Sequence, residues 1–437
     1  MRCELKGYKK GARLDCFSNY YIENILNNYF ILLAINAFIT MCGLLQLAKI
    51  DLIIFIGAIF TTFYILARKI SLVDAFIILF TLTIAVVGVL KNYPYELWYN
   101  GVRYQLLSII FFFIGESNKM YDWKLFDKAI VPILIVGLVG LILFITSPNW
   151  YVLYKMAAWE DQASDGRILE MTRLSAFWTY PYWVSYGSAI MLYYIVCKSY
   201  RIGAISKFHM MALFVLFLVI VLTQQRAPLL FASLSILGMF IKSLFDKKNA
   251  NRTFNKNLFF FLLISLCALS FTFIFLLNEE RVDFMISKLE SLFASDGDAS
   301  FLESRVDIFS DFFRKKITFW GDGIDMYSHK AYYMGKLAIT DQQYLKILYE
   351  TGYFGTICYS ILFLSVIVRG LLNLKYCMFE LGVVLFYIVA MSGANCLAAS
   401  DQHCIIFWLC CGRIFNKKCY EYKKNELSIL SLNMNNQ

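Results

Sequence analysis

Polar residues in this chain gather into short clusters, and between the clusters lie apolar runs of about 17–22 residues, long enough to cross some 30 Å of hydrocarbon as helices. In lipid, only helices and closed barrels satisfy every backbone N–H and C=O, so this repeat restricts the fold more than any other feature. Composition agrees: 59% of the 437 residues are hydrophobic and 16% are charged, whereas soluble domains carry about 25% charged residues. The aromatic share of 18% suits lipid-facing helices and interfacial belts, and five prolines leave most spans uninterrupted.

The pattern predicts an all-α polytopic membrane protein with about twelve transmembrane helices. They are expected at residues 29–48, 51–67, 73–90, 103–115, 129–147, 174–197, 207–223, 227–245, 257–277, 353–371, 376–395 and 397–411. Residues 1–28 then form a polar, basic N-terminal segment, 29–277 hold the first group of spans, and 278–352 form one large loop. Residues 353–411 hold the last spans and 412–437 the tail. No cleavable signal precedes the first span, which is expected to act as an uncleaved anchor.

Lysine and arginine set the orientation. More than half of the 41 fall on the side that both termini share, among them Arg68, Lys69, Lys119, Lys198, Lys242, Lys248, Arg252, Arg369 and Lys417. The positive-inside rule makes that side cytoplasmic and puts the 278–342 segment outside. The net charge of +10 is scattered over many short loops, which marks topology and gives no reason to expect a nucleic-acid partner. The twelve cysteines form no CxxC pair, and adjacent Cys410 and Cys411 read as packing residues. No metal site, cofactor or required disulfide is expected.

The region from Glu303 to Gly355 is the only long polar stretch. Arg305 lies in a segment with apolar residues at 301, 302, 306, 308, 309, 312 and 313, an amphipathic helix suited to the outer surface. It reads either as a solvated charge beside Glu303 and Asp307 or as an anion-binding group. Trp320-Gly-Asp-Gly-Ile324 is a turn, because Gly-Asp-Gly admits positive φ and does not continue a helix; Asp322 and Asp325 read as turn-formers. His329 lies among Tyr327, Tyr332 and Tyr333, aromatic residues equally suited to sugar stacking and to interfacial anchoring.

Thr340-Asp-Gln-Gln opens a further helix, for which Thr340 or Asp341 is a natural N-cap. A straight helix from Asp341 to Leu371 would be about 45 Å long, too long to stand upright in a bilayer. Gly352 is the expected break, with 342–351 in the interface and 353–371 spanning. Glu350, nine residues beyond Asp341, is half a helical revolution away and faces elsewhere. Arg226 belongs to the tight turn Leu222-Thr-Gln-Gln-Arg-Ala-Pro228. It is either an interfacial arginine or, since a cation at a helix start opposes the macrodipole, part of an anion cradle. Asp401 and His403 in the last span are further ionisable candidates.

Taken in order, these residues resemble the shared signature of bacterial O-antigen ligases and O-antigen polymerases. That signature has an arginine opening an outer-loop helix, an aromatic followed by Gly-x-Gly, and later His-Asn/Ser/Gln, nine residues and Gly-x-x-Gly. Here the counterparts are Arg305, Trp320-Gly-Asp-Gly323, and Asp341-Gln342 followed by nine residues and Gly352-Tyr-Phe-Gly355. Thr223-Gln-Gln-Arg-Ala227 is similar to the family's Ser/Gln-Arg-Gly/Ala turn. The one departure, Asp341 where the ligase motif has histidine, favours a polymerase.

The resemblance implies a C-type glycosyltransferase fold in the bacterial inner membrane, with the catalytic outer loop over a cavity open to the outer leaflet. It implies a polyprenyl-diphosphate-linked oligosaccharide as substrate and a chain-length regulator as a possible protein partner. On this reading Arg226 and Arg305 bind diphosphate, His329 and Gln342 contact substrate, and Asp341 orients or deprotonates the acceptor. The alternatives are a ligase and, from a different class, a lipid-linked oligosaccharide flippase, which would carry its arginines deep in the spans. The topology predicts that Lys248→Cys, in a cysteine-depleted background, is shielded from impermeant thiol reagents applied outside; labelling there would overturn the orientation.

Overall fold

The computed structural model describes residues 56–59, 61–62, 70–117, 124–151, 174, 181–202, 205–245, 316–328, 330–331, 334–335, 339, 342–397 and 403–416. Among these residues there is no strand. Each long described helix falls on an expected span. The spans expected at 29–48 and 257–277 lie outside the described residues, as do most of 51–67, the 246–315 segment and the tail beyond 416. Among the described residues, three helical stretches, Leu72–Leu90, Ala129–Thr146 and Gln343–Leu372, are long and apolar enough to cross a membrane.

The described helices divide between two units. The first opens with α1 (Leu72–Leu90), whose start is set by a reciprocal cap. The Ser71 hydroxyl accepts from the Asp74 amide at 3.2 Å, and the Asp74 carboxylate accepts from the Ser71 amide at 2.9 Å. After a turn at Lys91–Tyr93 comes the short α2 (Tyr95–Gly101), tied back to α1 by the Trp98 indole N–H, which donates to the Ala85 carbonyl at 3.0 Å.

The span expected at 103–115 is not one regular helix. It runs through a π-helical turn (Val102–Leu106) and a 3₁₀ turn (Leu107–Ile109) before α3 (Ile110–Ser117). Widened turns of this kind change which side chains face inward. Here Gln105 lies close to the Trp-Gly-Asp-Gly turn described below, its side chain reaching Asp325.

The first unit is completed by α8 (Gln343–Leu372), α9 (Leu374–Ala390) and α10 (His403–Phe415). α3 and α10 touch almost backbone to backbone: a Cβ at Gly412 would lie 1.9 Å from the Phe112 carbonyl oxygen. Small residues at such crossings are the usual route to close helix packing in lipid. Two arginines finish the far end of this unit. Arg369 donates to the Ile414 and Phe415 carbonyls at 3.1 and 3.3 Å, satisfying groups that the end of α10 leaves open. Arg413 and Glu380, each 1% exposed, pair at 3.2 Å. Cys410 and Cys411 are buried, in line with a packing role.

The second unit holds α4 (Lys124–Thr146), α5 (Pro181–Ile202), α6 (Lys207–Leu222) and α7 (Arg226–Phe245). The described part of α5 opens at Pro181, since residues 175–180 lie outside the described residues. Its residues from Ala189 to Ile195 are buried, apolar and almost inaccessible all round, so it is the core of this unit. Asp127 joins α4 to α5, accepting from Lys198 at 2.6 Å and from the Tyr194 hydroxyl at 2.9 Å.

Candidate functional site

Gly352 interrupts α8 with φ +65°, and the break removes helical hydrogen bonds on either side of it. The carbonyls of Tyr349 and Glu350 would ordinarily accept from residues 353 and 354. Instead the Asp322 amide donates to Tyr349 O at 2.8 Å and the Gly323 amide to Glu350 O at 2.9 Å. The Phe354 amide turns outward and donates to Phe319 O at 3.0 Å. The Trp-Gly-Asp-Gly turn thus replaces the missing part of the helical ladder.

Two glycines make this replacement possible. A Cβ on Gly321 (φ +74°) would lie 2.4 Å from Glu350 O, and one on Gly352 would lie 2.3 Å from Gly321 N. Both positions therefore demand glycine twice over, by conformation and by space. The Gly-x-Gly and Gly-x-x-Gly motifs read from the sequence are two halves of one joint.

α1 also holds the turn. The Tyr93 hydroxyl donates to Gly321 O at 3.0 Å, and the Lys91 ammonium donates to the same carbonyl at 3.4 Å. Burial, with the Asp322 carboxylate adding to it, pushes the Tyr93 phenol up to about 12, so it stays a donor through the physiological range. Trp320 packs on Phe354 with ring centroids 5.0 Å apart. The Tyr327 hydroxyl donates to Asp322 across the turn.

Below the turn is a polar cluster. Glu350, 2% exposed, accepts from the Tyr327 amide at 3.1 Å, with Asp325 close by. Lys346, 5% exposed, lies one helical turn away, its ammonium 3.9 Å from the Glu350 carboxylate. Asp325 has φ +65°, and its carboxylate accepts from the Gln105 amide at 3.4 Å. Burial raises the Asp325 carboxyl above its usual range, although Lys346 pulls the other way.

The segment of α8 before the break is tethered at its start as well. The helix begins at Gln343, with Gln342 in the cap position and no side-chain capping bond. The Gln343 amide donates to Met391 O at 3.0 Å, and its side-chain oxygen accepts from the Leu397 amide at 3.2 Å. The Asn395 side chain donates to Ile339 O at 3.0 Å. An arm of helix, residues 343–351, is therefore pinned at both ends.

Of the residues expected to act on substrate, Gln342 lies at the head of this arm, half-buried. Arg226 is the first residue of α7 in the second unit, exposed, after a turn in which Gln224 has φ +54°. Arg305, His329 and Asp341 lie outside the described residues, as does Asp401. Glu350, expected to face away from Asp341, meets the turn that Tyr93 and Lys346 also border, two residues that carry no sequence motif. The Lys346/Glu350 spacing of four on an otherwise apolar helix was the available signal. Among the described residues no group of His, Cys, Asp or Glu is arranged to hold a metal ion.

Residues 211–360 match the family model described as O-antigen ligase. The match covers about a third of the chain, and it supports the likeness to O-antigen ligases and polymerases read from the sequence motifs. The matched stretch takes in the Arg226 turn, the Trp-Gly-Asp-Gly turn and the broken helix together, and it does not separate ligase from polymerase. No curated protein matches the chain. Members of that family are glycosyltransferase-like enzymes acting on lipid-linked glycans, and the apolar helices of this chain are those of a helical membrane protein.

The joint predicts that Gly321→Ala and Gly352→Ala each cost about 1–3 kcal/mol or more, since each combines a strained φ with a backbone clash. Gly335→Ala is the control: it shares the positive φ but would meet nothing within 4 Å. Thermal unfolding of the purified variants measures both, and equal losses at all three positions would remove the joint from the explanation.

Proposed function

We propose that this protein is a polymerase of O-antigen or capsular repeat units. It moves the growing glycan from one polyprenyl diphosphate onto a newly delivered lipid-linked repeat. The observation that carries this reading is the family match spanning the Arg226 turn and the pinned arm in a single stretch. Asp341, in place of the histidine of the ligase pattern, favours polymerase over ligase.

In the proposed reaction the acceptor hydroxyl oxygen bonds to the anomeric carbon of the donor glycan, and the bond from that carbon to diphosphate oxygen breaks. Polyprenyl diphosphate leaves with the charge that develops on it. Arg226 and Arg305 would stabilise that charge through two-pronged hydrogen bonds, strong in a site of low dielectric. The Asp341 carboxylate would take the acceptor proton, with Gln342 and His329 orienting the sugars. This division of labour asks nothing of a metal. An apolar groove in the first unit, lined by Ile77, Thr81 and Leu82 of α1 and by Leu106, Ile110 and Phe113, has the chemistry to hold an isoprenoid chain. Twelve spans with both termini in the cytoplasm, and a chain-length regulator acting alongside, complete the proposal.

Surface-polysaccharide banding in a deletion strain tests the reading. A polymerase mutant leaves core plus one repeat; core alone would assign the ligase activity, and an unchanged ladder would remove both. In complementation, Arg226→Ala and Arg305→Ala should abolish polymer at normal protein abundance, with lysine restoring little of it. Asp341→Asn should lower turnover by about 10²-fold or more, the usual size of a general-base contribution. Gln342 holds the cap position, so a near-normal Asn variant would leave Asp341 without a catalytic part.

A further inference from the structure

We propose that Glu350 is a positioning residue of the transferase site, the carboxylate through which the outer turn sets the placement of Gln342 at the head of the arm. The proposal rests on the polymerase reading above and adds to it a residue that the sequence motifs do not include.

A glutamate 2% exposed on a largely apolar helix requires an explanation, because burying a carboxylate is unfavourable unless it is paired or hydrogen-bonded. Lys346 alone does not supply one: at 3.9 Å its ammonium is too far for a well-formed hydrogen bond. The well-made bond of Glu350 is instead to the backbone N–H of Tyr327 at 3.1 Å, with the Asp325 N–H beside it. The carboxylate thus sits under the part of the turn that follows Gly-Asp-Gly, on the arm side of the Gly352 break. The groups facing it are Lys346 from its own helix, and Asp325 and Tyr327 from the turn.

Direct participation in chemistry beside Gln342 is excluded by reach. Glu350 is eight residues along the arm from Gln342, about 12 Å at 1.5 Å per residue. The arm between them is a continuous helix, its first residue held by Met391 and Leu397. A rigid segment pinned at one end and keyed at the other transmits a change at residue 350 to residue 342 as a rotation or a slide. A displacement of about 1 Å at a reacting group is enough to lower a rate by about 10²-fold. Tyr93 fixes the same turn from the α1 side, so the key has a firm seat.

The test uses the full-length protein in nanodiscs and two readouts: transfer kinetics with lipid-linked repeat units, and hydrogen exchange of the peptide covering 322–328. Glu350→Ala should speed exchange in that peptide and lower kcat by about 10–100-fold, with KM for the lipid-linked acceptor little changed. Glu350→Gln keeps a carbonyl acceptor for the turn amides but cannot carry a proton as a carboxylate does. It should restore most of the turnover lost in the alanine variant, with slow exchange and an unaltered pH profile. If the alanine variant fails to fold, Glu350→Asp, which withdraws the acceptor by one methylene, should show the same loss of kcat and faster exchange.

A glutamine variant as impaired as alanine, with the turn still protected, would make Glu350 a proton-transfer group and overturn the proposal. So would a loosened turn with normal kcat, or an alanine variant whose turn stays protected. If the wild-type protein transfers no glycan, the polymerase reading itself fails, whatever the exchange pattern shows.

Discussion

A helix that breaks must find new partners for the backbone groups the break exposes, and at Gly352 those partners come from a turn some thirty residues earlier in the chain. Most of the first unit around this break follows from that requirement. The turn must approach backbone to backbone, which excludes a side chain at Gly321 and at Gly352. It must be held from above, which Tyr93 does from the end of α1. The arm before the break must be held at its own start, which Gln343 does through Met391 and Leu397.

The rest of the described structure follows ordinary membrane packing. α3 and α10 come together at Gly412, and α5 is enclosed on every side in its own unit. Arginines finish helix ends: Arg369 serves the carbonyls of Ile414 and Phe415, and Arg413 is buried against Glu380. A buried ion pair of this kind is weak evidence for stability but fixes register, since breaking it leaves an unpaired charge in an apolar medium.

Much of this was legible in the sequence, and the reasons differ from element to element. Hydrophobic run length placed the helices, and it works because lipid admits so few backbone solutions. The glycine pattern located the turn and the break, since positive φ at Gly321, Gly323 and Gly352 has few other sources. The irregular passage from Val102 to Ile109 escaped notice because a π-helical turn leaves composition and periodicity almost unchanged over so short a stretch. Glu350 meets the turn for a reason that no helical wheel contains. Its angular offset from Asp341 on an ideal helix says nothing about a turn that arrives from elsewhere in the chain to meet it. The partners of Tyr93 and Gln343 are distant in sequence, and no local pattern announces them.

The central claim is that a glycan moves from one lipid diphosphate to another without leaving the outer face of this protein. It is tested most directly by purified protein in nanodiscs supplied with a single species of lipid-linked repeat unit and no other acceptor. The account predicts a ladder of lipid-linked products differing by one repeat, with polyprenyl diphosphate released in step and the reaction unaffected by a chelator. Release of free glycan, transfer only when a second kind of acceptor is added, or vesicle-to-lumen movement of an unextended substrate would contradict it.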